Sequence, residues 1–596
     1  MLVRPELSTR EGDAMKPRLS RLSHVTTRVI AVLALLALLL PSLTAVSIAQ
    51  ETAGDKVLRI HQPFWPDVLD PQKSSYAEEI AVSSLDYEGL TRFDEDLQTV
   101  PAAAESWEFN ADGTILTFHL RENLTYSDGS PLIAERFRFA LERSCDPHTA
   151  AIYASILFDI VGCEDFFTSL TPPDPSAAAA TPGAVEAGSE AAYEAARAAL
   201  GVRTLDDRTL EVHLTHPAPY FPTVAATWVF YPVKQESLAA GENWAQDPAQ
   251  RIGNGPFRMT DFAGEQQIGF AANEHYWGGR PKLDGITYVY VDDPAVALAA
   301  YQAGDLDITQ LGPAQISAAE ADPTLSQQLL KYPTAVTINM MFDLKQEPFQ
   351  DQKVREAFAY AFDRETYCTE LRSGDCVPTL SWIPPGVPGY IETDAFAFDP
   401  DKAREALAAS SYGGPENLPE VTYFFLSDDP AERDRAQWLA EQYRDVLGIE
   451  LSLEPVDSTT LSSMSKDAES FPQVSMQGWA QDYPDPQNWL SIYWTCNATL
   501  FAALAGYCNE EFDALTAQAD QELDPEKRLA LYEEAGQMLV DDAPGVFAFN
   551  LATVVLINPE VTGYQATPSD TFYPGQWASL LTLDLAPAGE ATPDSE

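Results

Sequence analysis

The chain carries 596 residues, 45% hydrophobic and 11% aromatic, enough for two or three compact units with a large core and unlike a disordered polymer. Its 90 acidic against 36 basic residues leave a net charge of -54, which repels phosphate and excludes nucleic acid and anionic lipid as partners. Salt screens that field over about 8 Å, so it serves solubility first and only mildly favours cationic or zwitterionic ligands.

Arg10, Lys16, Arg18, Arg21 and Arg28 precede an apolar stretch, residues 29–40, then Pro41 and small residues ending at Ala49. This reads as an export signal over 1–50, cleaved near Ala49 or Gln50, with translation equally able to begin at Met15. The apolar run is shorter than the roughly 20 residues of a membrane span, and no later segment is long and apolar enough; retention as an anchor is the alternative. No cysteine precedes Cys145, which excludes a lipid-modified N-terminal cysteine. The six cysteines suit an exported chain and fall into three close pairs, Cys145/Cys163, Cys368/Cys376 and Cys496/Cys508. Local pairing is the expectation, at about 3 kcal/mol per bridge, although other connectivities stay open.

Residues 57–61 (VLRIH) predict a strand, and a helix should then lead into Tyr87-Glu88-Gly89-Leu90. In residues 105–121, Trp107 and Phe109 alternate before an Asp112-Gly113 turn, and Leu116, Phe118 and Leu120 after it, which is a hairpin with one buried face. A helix follows toward Arg143, with Phe137, Ala140 and Leu141 on one stripe. Resemblance to a known family, which usually has Thr at this place, puts Ile133 at its N-cap; a branched alkyl group cannot accept a hydrogen bond there, so the helix loses about 1 kcal/mol or starts earlier. Residues 171–190 are low-complexity Pro/Ala/Gly, a flexible insertion. A second hairpin spans 201–214, turning at Asp206-Asp207, with Leu210, Val212 and Leu214 inward.

Residues 297–308 read as a helix stopped by Gly304 and then a strand; 337–341 is another strand. Residues 351–365 form a helix with Val354, Phe358, Ala361 and Phe362 on one face. Strand 421–426, helix 432–447 ended by Gly448, and a strand through Ile449, Leu451 and Leu453 imply a right-handed parallel βαβ unit. A helix over about 525–540 follows, 541–564 resembles the return strand of a known family, and a Pro/Ala/acidic tail, 586–596, is expected to be disordered.

The chemistry gathers in residues 477–490, QGWAQDYPDPQNWL. Trp479, Tyr483 and Trp489 surround two carboxylates, Asp482 and Asp485, while Pro484 and Pro486 forbid regular helix or central strand. With strand character over 471–477, this is a strand delivering a rigid, aromatic-lined loop that holds an acid, suited to gripping a cation with apolar or amide-like neighbours. The plainer alternative is a Pro-rich surface loop with a solvated aspartate.

Several stretches resemble the extracellular solute-binding proteins of ABC importers, peptide/nickel class (family 5). They are the Gly-Trp-x-x-Asp run at 478–482, Leu69-Asp70-Pro71 with Tyr87-Glu88-Gly89-Leu90, and Gly253-Asn254-Gly255-Pro256-Phe257. Asn273-x-x-Tyr276-Trp277-Gly278-Gly279-x-Pro281-x-Leu283-Asp284, the Val354-Arg355 helix and Ile383-Pro384-Pro385-Gly386 complete the set. The resemblance implies an α/β, two-lobed periplasmic-binding-protein-like fold of the class II, cluster C type, hinged by two strand crossovers. The first lobe would cover 51–312, with an extra subdomain at about 93–200, and the second lobe 313–544; 545–585 would return to the first. The resemblance also implies that Asp482, with Trp479 and Tyr483 beside it, holds a peptide α-ammonium. Tyr87, Glu88, Asn339, Trp382 and Arg372 are further cleft candidates, Arg372 for a ligand carboxylate. Partners would be an oligopeptide and the permease subunits of the importer, the protein being a periplasmic or membrane-outer-face monomer without cofactor. The same fold serves nickel chelates, opines and oligosaccharides.

An enzyme is less well supported. No Gly-x-Ser-x-Gly elbow occurs, and His61, His119, His148, His213, His216 and His275 form no His-Glu-x-x-His motif. No Cys-x-x-Cys metal motif is present. Asp482 and Asp485 could mimic a glycosidase pair, but one loop with two prolines makes the required carboxylate separation hard to reach.

Overall fold

The computed structural model describes residues 56–171, 189–427, 429–498, 501–569 and 580–586. The expected leader, nearly all of the low-complexity stretch and the tail beyond Ala586 lie outside them.

Strand β1 (Val57–Gln62) leads to helix α1 (Ala77–Asp86). The first hairpin is β2 (Ala104–Phe109) and β3 (Ile115–Leu120); α2 (Ala134–Cys145) crosses it, and β4 (Val202–Asp206) and β5 (Thr209–His213) form the second. These four strands make their own antiparallel sheet, β2-β3-β5-β4. Alternation works as read: Leu116, Phe118, Leu120, Leu210 and Val212 are all buried on one face. Helix α2 begins at Ala134 with no side-chain cap, as Ile133 dictates. The Ala134 amide instead donates to the Asp207 carbonyl at 2.8 Å, so a tertiary contact replaces the missing cap.

Strands β6 (Phe257–Ala263), β7 (Gln267–Ala272) and β8 (Gly285–Tyr290) return the chain to β1, with β8 parallel to it. Asp293 caps α3 (Pro294–Ala303), and Gly304, at φ +81°, ends it before β9 (Ile308–Gln310). Helix α4 (Pro313–Ala321) packs Ile316 and Ala319 into the same cluster as Ala297 and Tyr301 of α3.

The next strand, β10 (Leu329–Phe342), is long and reaches the second half of the molecule. After it come α5 (Gln352–Ala361), β11 (Cys376–Pro378) and α6 (Pro400–Ala409). The βαβ unit is β12 (Val421–Leu426), α7 (Pro430–Leu447) and β13 (Leu451–Val456), with β12 and β13 parallel. Helix α8 (Ser458–Met464), β14 (Val474–Ala480) and α9 (Pro486–Trp489) come next. Helices α10 (Glu510–Gln521) and α11 (Pro525–Asp542) precede a second long strand, β15 (Gly545–Ile557).

Among the described residues the main sheet runs β13-β12-β14-β10-β15-β9-β1-β8-β7-β6, with β11 added to β15. Only β10 and β15 belong to both halves. They pair from Leu329↔Leu556 to Pro333↔Ala552, lose register, and resume at Thr337↔Asn550. Pro333 has no amide hydrogen to give. Beyond it the Ala335 amide donates to the Pro568 carbonyl, and the Ala335 carbonyl accepts from Gln481, so the ladder is broken where the two halves meet. Separate cores lie on either side of the break: one around β1–β9, and two on the opposite faces of the β12-β14-β10 sheet. The fold is α/β and two-lobed, spanned by two strands. All three cysteine pairs are disulfides: Cys145–Cys163, Cys368–Cys376 and Cys496–Cys508.

Candidate functional site

Strand β14 lies antiparallel to β10, with Trp479 opposite Thr337 and Gly478 opposite Ile338. On its other edge it pairs with β12 only at Val474 and Ser475; from Met476 to Ala480 that edge meets no further strand among the described residues. The strand delivers the loop 481–485. Proline does not keep helix out of the next turn: Asp485 caps α9 by accepting from the Gln487 amide at 2.9 Å, and Pro486 sits in its first turn, where no amide hydrogen is needed.

Asn488, fully buried, ties the loop together. Its Oδ1 accepts from the Trp479 indole at 3.2 Å and from the Asp482 amide at 3.0 Å, and its Nδ2 donates to Asp482 Oδ2 at 3.0 Å. A second donor reaches Asp482 from the other half of the chain: the hydroxyl of Tyr153, whose ring packs edge-on against Trp228 at 5.0 Å. Burial is the chief influence on this acid and lifts its pKa from 3.8 to about 6, against the pull of the Asn488 and Tyr153 hydrogen bonds. Tyr153 is pushed up in turn, by burial first and by the Asp482 charge second. No cationic side chain among the described residues pairs with Asp482. The site is therefore a desolvated carboxylate, positioned by neutral donors and without a counter-charge.

Asp485 is engaged differently. Arg528 grips both of its oxygens, at 2.8 and 2.6 Å, deep in the protein, and one of those oxygens also caps α9. A nucleophile or general acid needs a free oxygen, so the two carboxylates do not make a hydrolytic pair.

The other sequence candidates divide. Trp479 stands beside Asp482 through Asn488 and packs on Tyr493 at 5.5 Å. Tyr483 is buried in the first-half core, which pins the loop to that half, and donates to Gln487 at 2.5 Å within its own segment. Trp382 is 2% exposed, gives its indole hydrogen to the Trp489 carbonyl at 2.9 Å and packs on Tyr493 and Trp494. Asn339 is buried in β10, its amide reaching only Met341 sulfur at 3.9 Å and its carbonyl oxygen unpartnered. Tyr87 stacks on Tyr231 beneath the Arg251 guanidinium, itself buried against Asp86. Glu88 accepts from the hydroxyl of Tyr276 and from the Trp277 indole, which explains the Tyr-Trp-Gly-Gly stretch as a clamp between segments far apart in sequence. Arg372 bonds Asp375 at 2.8 Å and lies over the Phe549 ring at 4.9 Å. The structure thus gathers Trp479 at the end of β14 with Asp482 and Tyr483 in the loop that follows, and sets the other candidates elsewhere in packed or paired positions.

Asn488 and Tyr153 were not read from the sequence. Asn488 sits in the same motif, and a buried amide beside an acid was a legible signal; Tyr153 comes from a distant segment with no local mark. Among the described residues no cluster of His, Cys, Asp and Glu could hold a metal ion, and no helix is long and apolar enough to cross a membrane.

Two lobes joined by two crossing strands, with a carboxylate that lacks a counter-charge on the loop after β14, the neighbour of one of them, match the architecture of a solute receptor. The chain belongs to the bacterial extracellular solute-binding proteins, family 5, whose model matches residues 98–501. It is 27% identical to the dipeptide-binding protein DppE of Bacillus subtilis over 87% of this chain and 91% of that one. It is also 27% identical to the periplasmic oligopeptide-binding protein OppA of Salmonella typhimurium, over 85% and 89%. Its fold matches the periplasmic murein tripeptide-binding protein MppA in its unliganded open form, with TM-score 0.76 at 24% identity, over 89% of this chain and 98% of that one.

Proposed function

We propose that this protein captures oligopeptides outside the cytoplasm and hands them to the permease of an ABC importer, acting as an exported monomer that catalyses nothing. The observation that carries the reading is the uncompensated carboxylate of Asp482. A peptide α-ammonium supplies the missing charge, and the Asn488 and Tyr153 donors hold the acid still to receive it. The half-paired edge of β14 supports an extended ligand running from Asp482 back toward Gln477 and hydrogen-bonded like an added strand. The names of the matched relatives, two of which bind di- or oligopeptides, point the same way.

In this reading the lobes close by bending at the register break. The first lobe is residues 56 to about 333 plus the strand after about 552, and the second lies between. Helix α4 and the start of β10 then belong to the first lobe, because they pack on α3 and pair with the far end of β15. Closure carries Tyr153 and Tyr483 across the cleft, so ligand binding and lobe docking share residues.

Isothermal titration with tri- to pentapeptides tests the proposal. Free-amine peptides should bind, and their N-acetylated forms should bind at least a hundredfold more weakly. Equal affinity for the two forms would refute the role of Asp482, and no binding of any peptide would refute the peptide reading.

A further inference from the structure

A cavity of about 230 Å³ opens in the second lobe beside Gln477 and Gly478, at the carboxyl ends of the parallel strands β12 and β14. In open α/β sheets that end is where ligands sit. Its walls come from one face of the sheet, chiefly Tyr423, Phe425, Met476, Ile338 and Phe549, with Leu461 of α8 on the rim. Gly478 is part of the construction: a Cβ there would lie 2.5 Å from Ile338 Cδ1, so only glycine lets the Ile338 side chain lie across the strand as part of the wall. The two charged groups in the lining are already engaged, Arg372 by Asp375 and Glu432 by Arg435. The cavity therefore offers apolar and aromatic surface with its charges cancelled.

We infer that this cavity reads one side chain of the bound peptide and selects a large apolar or aromatic residue at the fourth or fifth position. The inference rests on the peptide reading above. With the ammonium at Asp482 and the ligand extended along the free edge of β14, Gly478 lies four residues, about 13 Å, from the anchor, which an extended peptide covers three to four residues beyond its first. Filling the cavity removes apolar surface from water on both sides. An acidic or basic side chain would instead lose its hydration against Tyr423, Phe425 and Phe549 with no free counter-charge.

The experiment is calorimetry on pentaalanine with a free amine, substituted one position at a time by Phe, Leu, Asp or Lys, against the wild-type protein and Leu461→Trp. The variant fills the cavity from its half-buried rim and leaves the sheet untouched. Phe at position 4 or 5 should tighten binding at least tenfold over Ala, and Asp or Lys there should weaken it. In Leu461→Trp the Phe advantage should vanish while pentaalanine binds as before. A flat profile, or a Phe preference that survives Leu461→Trp, overturns the inference and leaves the peptide reading standing. If no peptide binds at all, both fall together.

Discussion

The acid at the centre of the site makes a pH dependence that can be worked out in advance. In the unfolded chain the Asp482 carboxyl titrates near 3.8; burial in the folded protein moves it to about 6. Below pH 4 it is protonated in both states, and its contribution to stability is fully present. Between 4 and 6 the unfolded chain ionises first, so the ligand-free fold loses stability as pH rises. Above 6 the loss is complete, about 3 kcal/mol from two pKa units. A bound ammonium reverses the situation, because it pairs with the ionised form alone. Affinity for a free-amine peptide should be flat from about pH 6 to 8, fall tenfold per unit below 6 as Asp482 protonates, and fall again above 8 as the peptide amine deprotonates. Asp482→Asn keeps the shape and the Asn488 contact but removes the charge. Affinity should drop by two to four orders of magnitude, the equivalent of about 3–5 kcal/mol for a desolvated ion pair stripped of one partner. The acid limb should vanish, and the ligand-free variant should be more stable than wild type at pH 8. Titration calorimetry from pH 4.5 to 9 and urea unfolding at pH 8 measure all three. An acid limb that persists in Asp482→Asn, or a variant that binds as tightly as wild type, would refute the reasoning.

Tyr153→Phe removes a donor that now holds the Asp482 pKa down, so the acid limb should shift to higher pH and affinity should fall about fivefold; an unmoved limb in calorimetry would count against the contact. Arg528→Met leaves the Asp485 carboxylate buried without its partner and should cost about 3–5 kcal/mol in chemical denaturation, part of which Asp485→Asn in the same chain should return. Replacing Cys145 and Cys163 together by Ser opens the loop that carries Tyr153; unfolding stability should fall by about 3 kcal/mol, read by the denaturation midpoint, and peptide affinity should fall by no more than the fivefold of Tyr153→Phe, read by calorimetry.

Local order was legible because it depends on neighbours. Alternation in 105–121 and 201–214 fixed two hairpins; the stripe Val354, Phe358, Ala361 fixed α5; Gly304 and Gly448 ended their helices at positive φ. The expected ban on helix after Pro484 failed because proline is tolerated in a first turn, and Asp485 was there to cap it. Candidates chosen by position in a motif fared unevenly for a related reason: Glu88, Trp382 and Tyr87 sit in signature stretches, yet a motif can mark a clamp or a core as well as a cleft. Glu88 holds Tyr276 and Trp277, and Trp382 holds the carbonyl of Trp489.

The sequence by itself determined many of the elements and the stretch in which the acid would be found, since each follows from spacing along the chain; it left the cysteine pairing open, and the structure shows the three local bridges. Only the tertiary structure decided what that acid would be. Its partner Tyr153, its shelter from water and the capture of its neighbour Asp485 by Arg528 all depend on residues brought together from far apart. The energy of a charge depends on everything within a few ångströms, whatever its place in the chain, and no local pattern encodes that.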